Sequence, residues 1–344
     1  MTWAVPQYSR GAIDRAGRTL TDPSSSEEQL NAALAVVNNW RSSHSFPLNT
    51  MQVGLRKKSL QVDPDALVAQ RIKRLSSIEA KLRRFDRMNL ARMQDLGGCR
   101  AVVSSVAKVH EVVRLYEASR VKHTLVGKDD YIAAPQTSGY RGVHLIYKYF
   151  SDRSSTYNGL QIEIQLRSPL QHAWATAVET VGTFLKQALK ASQGHAEWLR
   201  FFSLMGSALA FRERTTVVPG TPTNRGELIE ELREASASLD VERRLQTYGE
   251  ALQTLEDPSV SNADFFLLAL NPGEGTVNIN GYARSELERA TADYLATERV
   301  LDSVPGGEAV LVSVESVSAL QRAYPNYFLD TRAFVSALRR AIAP

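Results

Sequence analysis

The sequence predicts an α/β (α+β) protein in three parts: an N-terminal helical segment over residues 1–62, a sheet-containing domain over 63–218 and a small C-terminal α/β domain over 219–344. Three observations carry the prediction. Apolar residues recur at helical spacing up to residue 92; between residues 99 and 167 the pattern turns strand-like; and Pro219-Gly220-Thr221-Pro222-Thr223 reads as a linker, after which helix and strand signals resume.

Taken in order, Pro23-Ser24-Ser25-Ser26-Glu27-Glu28 is a cap-rich start to a helix with Leu30, Leu34 and Val37 on its apolar face. A second helix is expected after Asp63-Pro64, burying Leu67, Ile72, Ile78 and Leu82. Gly97-Gly98 breaks the helical pattern; Cys99 to Ser104 then reads as a strand and Val106 to Ser119 as a helix. Residues 127–140, rich in Gly, Asp, Pro and Ser, read as a loop. Two strands follow, 142–150 and 160–167, joined by Ser151-Asp152-Arg153-Ser154-Ser155. In the second, Leu160, Ile162, Ile164 and Leu166 share one face while Gln161, Glu163, Gln165 and Arg167 share the other, so one face is core and the other polar. Pro169 opens a helix that runs to Ala191, and another spans Ala196 to Ala210. Beyond the linker come an acidic helical pair, a strand over 265–270, a turn over 271–275, a helix over 285–299, a strand over 309–314 and a terminal helix ending near Ala343. There is no internal repeat.

Composition excludes several classes. With 43% hydrophobic and 23% charged side chains among 344 residues, the chain is neither disordered nor fibrous. No apolar run approaches the roughly eighteen residues of a membrane helix. Met1-Thr2-Trp3-Ala4-Val5-Pro6 lacks the basic start and apolar core of a signal peptide, so a soluble cytoplasmic protein with no membrane partner is expected. The single cysteine, Cys99, excludes an internal disulfide and a cysteine-rich zinc site. The net charge of +4 is unevenly placed: residues 56–92 hold eleven basic side chains against four acidic ones, and residues 225–257 hold nine acidic against four basic. A polyphosphate partner is therefore expected on the first half of the chain.

Phosphoryl transfer between nucleotides needs carboxylates for Mg²⁺, cations for the phosphates and a flat surface for the base. All three occur between residues 71 and 172. Glu163 stands on the polar face of its strand and Asp95 just before Gly97-Gly98, so the two make a candidate Mg²⁺ clamp. Singly, each residue has a second reading. Glu163 is also a solvated strand residue, Asp95 a turn residue, the basic run the outer face of an amphipathic helix, His144 and His172 structural histidines, and Tyr140 a core ring. Cys99, with no paired histidine, reads as a small buried residue.

Their joint order is more specific. Arg71-Ile72-Lys73-Arg74 running on to Ser77 and Lys81, then Asp95-Leu96-Gly97-Gly98-Cys99-Arg100, Asp130-Tyr131, Ser138-Gly139-Tyr140-Arg141-Gly142-Val143-His144, and Glu163-Ile164-Gln165-Leu166-Arg167 with His172 together resemble the RelA/SpoT synthetase family of alarmone enzymes. The resemblance covers about 110 of the 344 residues. It implies a mixed sheet of nucleotidyltransferase type flanked by helices, and transfer of pyrophosphate from ATP to the 3′-hydroxyl of GDP or GTP, with AMP leaving. Carried over residue by residue, Arg71, Lys73, Ser77, Lys81 and Arg100 would hold the ATP phosphates. Asp95 and Glu163 would hold Mg²⁺, Glu163 would also help deprotonate the attacking hydroxyl, Tyr140 would stack on the acceptor base, and His144, Gln165 and Arg167 would order the pocket.

Departures bear on the acceptor. The family's usual Pro-Lys-x-Asn-Gly-Tyr is here Pro135-Gln136-Thr137-Ser138-Gly139-Tyr140, and Phe-Lys-Asp-Tyr is Lys128-Asp129-Asp130-Tyr131. A pocket with fewer cations resembles the toxic branch, which attaches pyrophosphate to the 3′ end of tRNA and arrests growth, a behaviour suited to phage defence; Arg83, Arg84, Arg87 and Arg92 would then meet the polynucleotide. No His-Asp dipeptide occurs, so the family's hydrolase domain is expected to be absent and control is expected from the tail. The tail's acidic helices would shield the basic surface in cis, or bind a regulatory protein, or serve packing or homo-oligomerisation. A catalytically dead nucleotide sensor is the remaining alternative, which Glu163→Gln separates from an enzyme.

Overall fold

The computed structural model describes residues 3–85, 87–188, 195–250, 252–314 and 316–343. Three helices come first: α1 (Arg10–Thr21), α2 (Glu27–Ser42) and α3 (Ser45–Val62). Ser26 and Gln29 form a reciprocal capping box at the start of α2, as the cap-rich run predicts. Next come β1 (Leu67–Ile72), α4 (Leu75–Arg84), β2 (Gly97–Val102), α5 (Val106–Glu117), β3 (Thr124–Asp130), β4 (Val143–Lys148), β5 (Gln161–Arg167), α6 (Pro169–Ala188) and α7 (His195–Glu213). The expected end of the α6 helix, 189–191, lies outside the described residues. After residue 213 the chain forms α8 (Arg225–Ser238), α9 (Val241–Glu250), β6 (Gln253–Glu256), β7 (Phe265–Asn271), β8 (Thr276–Tyr282), α10 (Leu287–Asp302), β9 (Glu308–Ser313), α11 (Val317–Ala323) and α12 (Arg332–Ile342).

Among the described residues nine strands form one mixed sheet, in the order β3-β4-β5-β2-β1-β9-β7-β8-β6. The fold is thus the mixed α/β arrangement the sequence predicts. The pairs β2/β5 and β6/β8 are parallel and the remainder antiparallel. On one face of the central strands, Cys99, Ile162, Ile164 and Leu166 pack against Leu48, Met51 and Leu55 of α3 and Val109, Val112 and Val113 of α5. Helices α6 and α7 share a core with α8, α9 and α12. The second run of strands joins the first through Gln70↔Ser313 and Arg71↔Val312, the register of β1 against β9.

Three expectations are corrected. The helix read after Pro64 is a strand, β1, followed by a separate helix, α4. All six β1 residues pair with β2, and sheet hydrogen bonds on both edges override the helical spacing of Leu67 and Ile72. Ile78 is buried as expected. The loop read over 127–140 contains most of β3, an edge strand whose outer side faces solvent and which therefore shows no apolar alternation. In the tail, β7 and β8 flank the turn expected over 271–275, and β6 and β8 are strands that the sequence reading does not assign.

Candidate active site

Register builds the site. Directly opposed residues in neighbouring strands share a face, so Ala69, Arg100, Gln165 and His144 form one cross-strand row and Arg71, Gly98 and Glu163 the next. This face, opposite the α3/α5 core, forms the floor of a cavity of about 310 Å³. Gly98 leaves the floor open between Arg71 and Glu163, since a Cβ there would meet nothing within 4 Å. Four cations, Arg71, Lys73, Arg100 and Arg167, and three carboxylates, Asp95, Glu163 and Glu179, line the cavity together with Gln136, Tyr140, His144, Gln165 and Tyr324. Of the residues singled out from sequence, Ser77 is not among them; it lies on the first turn of α4. Lys81 reaches the site through its ion pair to Asp95.

The two ends differ chemically. At one, Asp95 accepts from Lys73 Nζ at 2.9 Å and from Lys81 Nζ at 3.0 Å. Burial alone would raise this carboxyl, but the two ammonium groups outweigh it and hold it below its usual value. At the other end lies a ring of hydrogen bonds. His144 Nδ1 contacts Glu163 Oε1 at 3.0 Å, its Nε2 shares a 2.5 Å hydrogen bond with the Tyr140 hydroxyl, and Arg167 Nη2 donates to that hydroxyl at 3.0 Å. Arg167 also donates to Gln165 Oε1 at 3.1 Å, and Gln165 Nε2 donates to Glu163 Oε2 at 2.6 Å. Burial opposes a charged His144, yet Tyr140 and Glu163 together raise it to about 9. Burial would likewise raise Glu163, and the His144 contact keeps it low. Glu163 is thus an anion at neutral pH, and the charge of Asp95 acts on it across the cavity.

Asp95 and Glu163 offer the hard anionic oxygens that suit Mg²⁺, which favours one or two carboxylates completed by phosphate oxygens and water. No group of three or more potential metal ligands occurs among the described residues. Arg167 Nε is buried without a protein partner. A polyphosphate would supply both the missing metal ligands and a counter-charge for the guanidinium groups.

The tail also contributes, at a place the charge pattern does not predict. Of its acidic helices, α8 pairs Glu231 with Arg200 of α7 at 2.6 Å and α9 pairs Glu242 with Arg339 of α12 at 2.7 Å. Among the described residues Tyr324 is the tail residue that lines the cavity, and the carbonyls of Arg322 and Ala323 contact His172 and Arg100 beside it. Arg100 lies over the Tyr324 ring at 5.0 Å and donates to the Ala323 carbonyl, and the Tyr324 hydroxyl donates to the Gln70 carbonyl at 2.8 Å. Burial lowers Arg100 to about 10. His172 Nε2 lies 3.2 Å from the Arg322 carbonyl; burial and the charges of Arg100 and Arg167 hold its pKa well below the usual value, so it is neutral.

Sequence reasoning missed Tyr324 and Glu179. Glu179 stands two turns after His172 on the same side of α6, a spacing that could have flagged it; Arg71, Arg74 and Arg100 overcome its burial and keep it ionised. Tyr324 gives no such signal, being more than two hundred residues from Arg100.

Residues 70–183 match the family model described as a region found in RelA / SpoT proteins. GTP pyrophosphokinase YjbM of Bacillus subtilis (strain 168) is 33% identical over 115 residues, which is 33% of this chain and 54% of that protein. The chain therefore spans about half the length of this curated relative. Similar solved structures include small alarmone synthetase 1 of Bacillus subtilis bound to its product pppGpp, 21% identical, covering 64% of this chain and 100% of that one with a TM-score of 0.38. Another is a GTP pyrophosphokinase family protein of Streptococcus pneumoniae, 22% identical, covering 56% and 93% with a TM-score of 0.38.

Proposed function

We propose that residues 70–183, which match the family model and resemble the curated relative, form a RelA/SpoT-type synthetase domain, and that the chain transfers the β,γ-pyrophosphate of ATP to the 3′-hydroxyl of a guanosine nucleotide, GDP or GTP, and releases AMP. The carrying observation is the cavity itself, which brings Asp95, Glu163 and the basic residues of three strands onto one floor. In this reading Arg71, Lys73, Lys81 and Arg100 hold the triphosphate, with Ser77 at the start of α4. Asp95 and Glu163 would hold Mg²⁺, which would supply charge neutralisation on the phosphate oxygens, and Lys73 and Lys81, now on Asp95, would be released to the phosphates. Glu163 accepts the proton of the attacking hydroxyl, the 3′-oxygen bonds to the β-phosphorus, and the bond from that phosphorus to the bridging oxygen of AMP breaks. Tyr140 carries the acceptor base, held by His144 and Arg167, with Gln165 fixing the carboxylate.

A second acceptor, the 3′ end of tRNA, is favoured by a specific observation. Gln136 lines the cavity where the family has a lysine, and Lys128 is paired with Glu117 at 2.6 Å, so Arg167 is the cation that lines the acceptor end among the described residues. Arg83, Arg84, Arg87 and Arg92 are exposed on and just after α4, where polynucleotide phosphates can reach them. In either case we read the tail as a built-in control element, because Tyr324 and the carbonyls of Arg322 and Ala323 occupy Arg100 and His172.

The test is label transfer from γ-³²P-ATP with Mg²⁺ to GDP, GTP or bulk tRNA, with Glu163→Gln as the blank. Label on a guanosine nucleotide supports the first acceptor and label on tRNA the second. A Tyr324→Ala chain that labels none of them, while folded, refutes the reading.

A further inference from the structure

Behind the cavity, outside the residues matched by the family, stands a buried carboxylate that the reaction as described does not use. We propose that Glu213, the last residue of α7, is a positioning residue that sets the Tyr140 ring for the acceptor. This rests on the reading of Tyr140 as the acceptor platform.

Glu213 Oε2 lies 3.0 Å from Arg141 Nη2, with the side chains only 8% and 2% exposed. The same carboxylate accepts from the Ser168 hydroxyl and, at 3.0 Å, from Gln171 Nε2. Arg141 is the neighbour of Tyr140 in sequence and Ser168 the neighbour of Arg167. Tyr140 and Arg167 in turn touch through the 3.0 Å hydrogen bond from Arg167 Nη2 to the Tyr140 hydroxyl. One carboxylate thus grips the residue beside each member of that contact, and fixes the loop before β4 against the end of β5.

The α7 backbone supplies the wall behind the loop. Gly139, at φ +95°, lies so close to α7 that a Cβ would come within 2.6 Å of the Phe202 carbonyl oxygen. Trp174 Nε1 donates to that same oxygen at 2.9 Å. Arg141 also donates to the Gly206 carbonyl at 3.5 Å and to the Thr215 hydroxyl, and the Glu213 carboxylate adds the counter-charge that holds the guanidinium, and with it the loop, against α7. A neutral side chain at 213 leaves a buried guanidinium without its counter-charge, so that it shifts toward its remaining acceptors, the Gly206 carbonyl and the Thr215 hydroxyl, or admits water, and carries the adjoining Tyr140 with it.

Glu213→Gln, made in the full chain with Tyr324→Ala to uncover the cavity, is compared with the Tyr324→Ala parent for label transfer to GDP and to tRNA. We expect the KM for whichever acceptor the parent labels to rise roughly 10- to 100-fold, the scale of a misplaced contact group, while the KM for ATP stays within about twofold. Arg141→Gln with Glu213→Gln removes both charges, leaves no stranded ion, and should fold while keeping the raised acceptor KM. Equal KM rises for ATP and acceptor, or an unchanged acceptor KM in either variant, would overturn the proposal. Hydrogen exchange supplies a readout independent of the reaction. In the unmodified chain the amides of 136–142 and 206–213 should exchange at similar rates as one opening unit, and in the charge-free variant those of 136–142 alone should speed up about tenfold or more. Independent exchange of the two segments in the unmodified chain would sink the proposal even if no variant folds. A parent that labels nothing refutes pyrophosphotransfer instead, and leaves the exchange result to decide the role of Glu213.

Discussion

Replacing Tyr324 should open the cavity in graded steps. Its contacts to the first half of the chain are the hydrogen bond to the Gln70 carbonyl at 2.8 Å and the ring beneath Arg100 at 5.0 Å. A hydrogen bond of this kind contributes about 1 kcal/mol, and a desolvated guanidinium over a ring about 2 kcal/mol. Tyr324→Phe keeps the ring and loses the hydroxyl, so the covered state should weaken about fivefold; Tyr324→Ala loses both, about 3 kcal/mol or roughly 150-fold. The assay is equilibrium binding of a non-hydrolysable ATP analogue to the full chain. If the unmodified chain is largely covered, apparent affinity should rise in the order wild type, Phe, Ala, up to those factors, because covering reduces affinity by the open fraction. Affinity that falls in Tyr324→Ala would refute the reasoning and make Tyr324 a substrate contact; equal affinity in all three would mean that the tail does not compete with ATP.

Three other outcomes follow from the same geometry. Gly98→Val places a branched side chain in the open floor between Arg71 and Glu163, so the protein should unfold at a similar denaturant concentration yet lose at least about tenfold in ATP-analogue affinity; unimpaired binding would show that the floor is not used. Glu298 holds Arg41 at 2.9 Å, 1% exposed, and accepts from the Leu75 amide at 2.7 Å, so Glu298→Gln should cost about 3 kcal/mol or more in urea unfolding, and a loss below about 1 kcal/mol would contradict it. His44, fully enclosed with its Nδ1 2.8 Å from the Trp40 carbonyl, is lowered to about 4 by burial. The unfolded chain therefore takes up this proton first as pH falls, so stability should be lost between about pH 6.5 and pH 4, by up to about 3 kcal/mol. His44→Gln should flatten that slope by one proton, and a slope identical to the wild type would count against it.

Local chemistry was legible wherever a residue's neighbours in sequence are also its neighbours in space. Strand β5 shows its two faces by alternation alone, and Glu163, Gln165 and Arg167 stand on one of them, in contact with His144 and Tyr140. Asp95 was readable beside Gly97-Gly98, although its lysine partners were read as phosphate ligands and here also hold the carboxylate. Strand β1 was not legible. Its Leu67, Val68 and Ile72 satisfy a helical spacing as well as a strand's, and only pairing with β2 and β9 decides between them.

By itself the sequence determined which groups carry charge and the order in which they come, since those depend on residue type and short spacing. Tertiary structure alone decided what closes on them. Tyr324 reaches Arg100, Glu298 reaches Arg41 and Glu213 reaches Arg141 across 72 to 257 residues of chain. Such contacts form because a buried guanidinium must find a carbonyl, a carboxylate or a ring wherever the fold presents one, and no local pattern records where that will be.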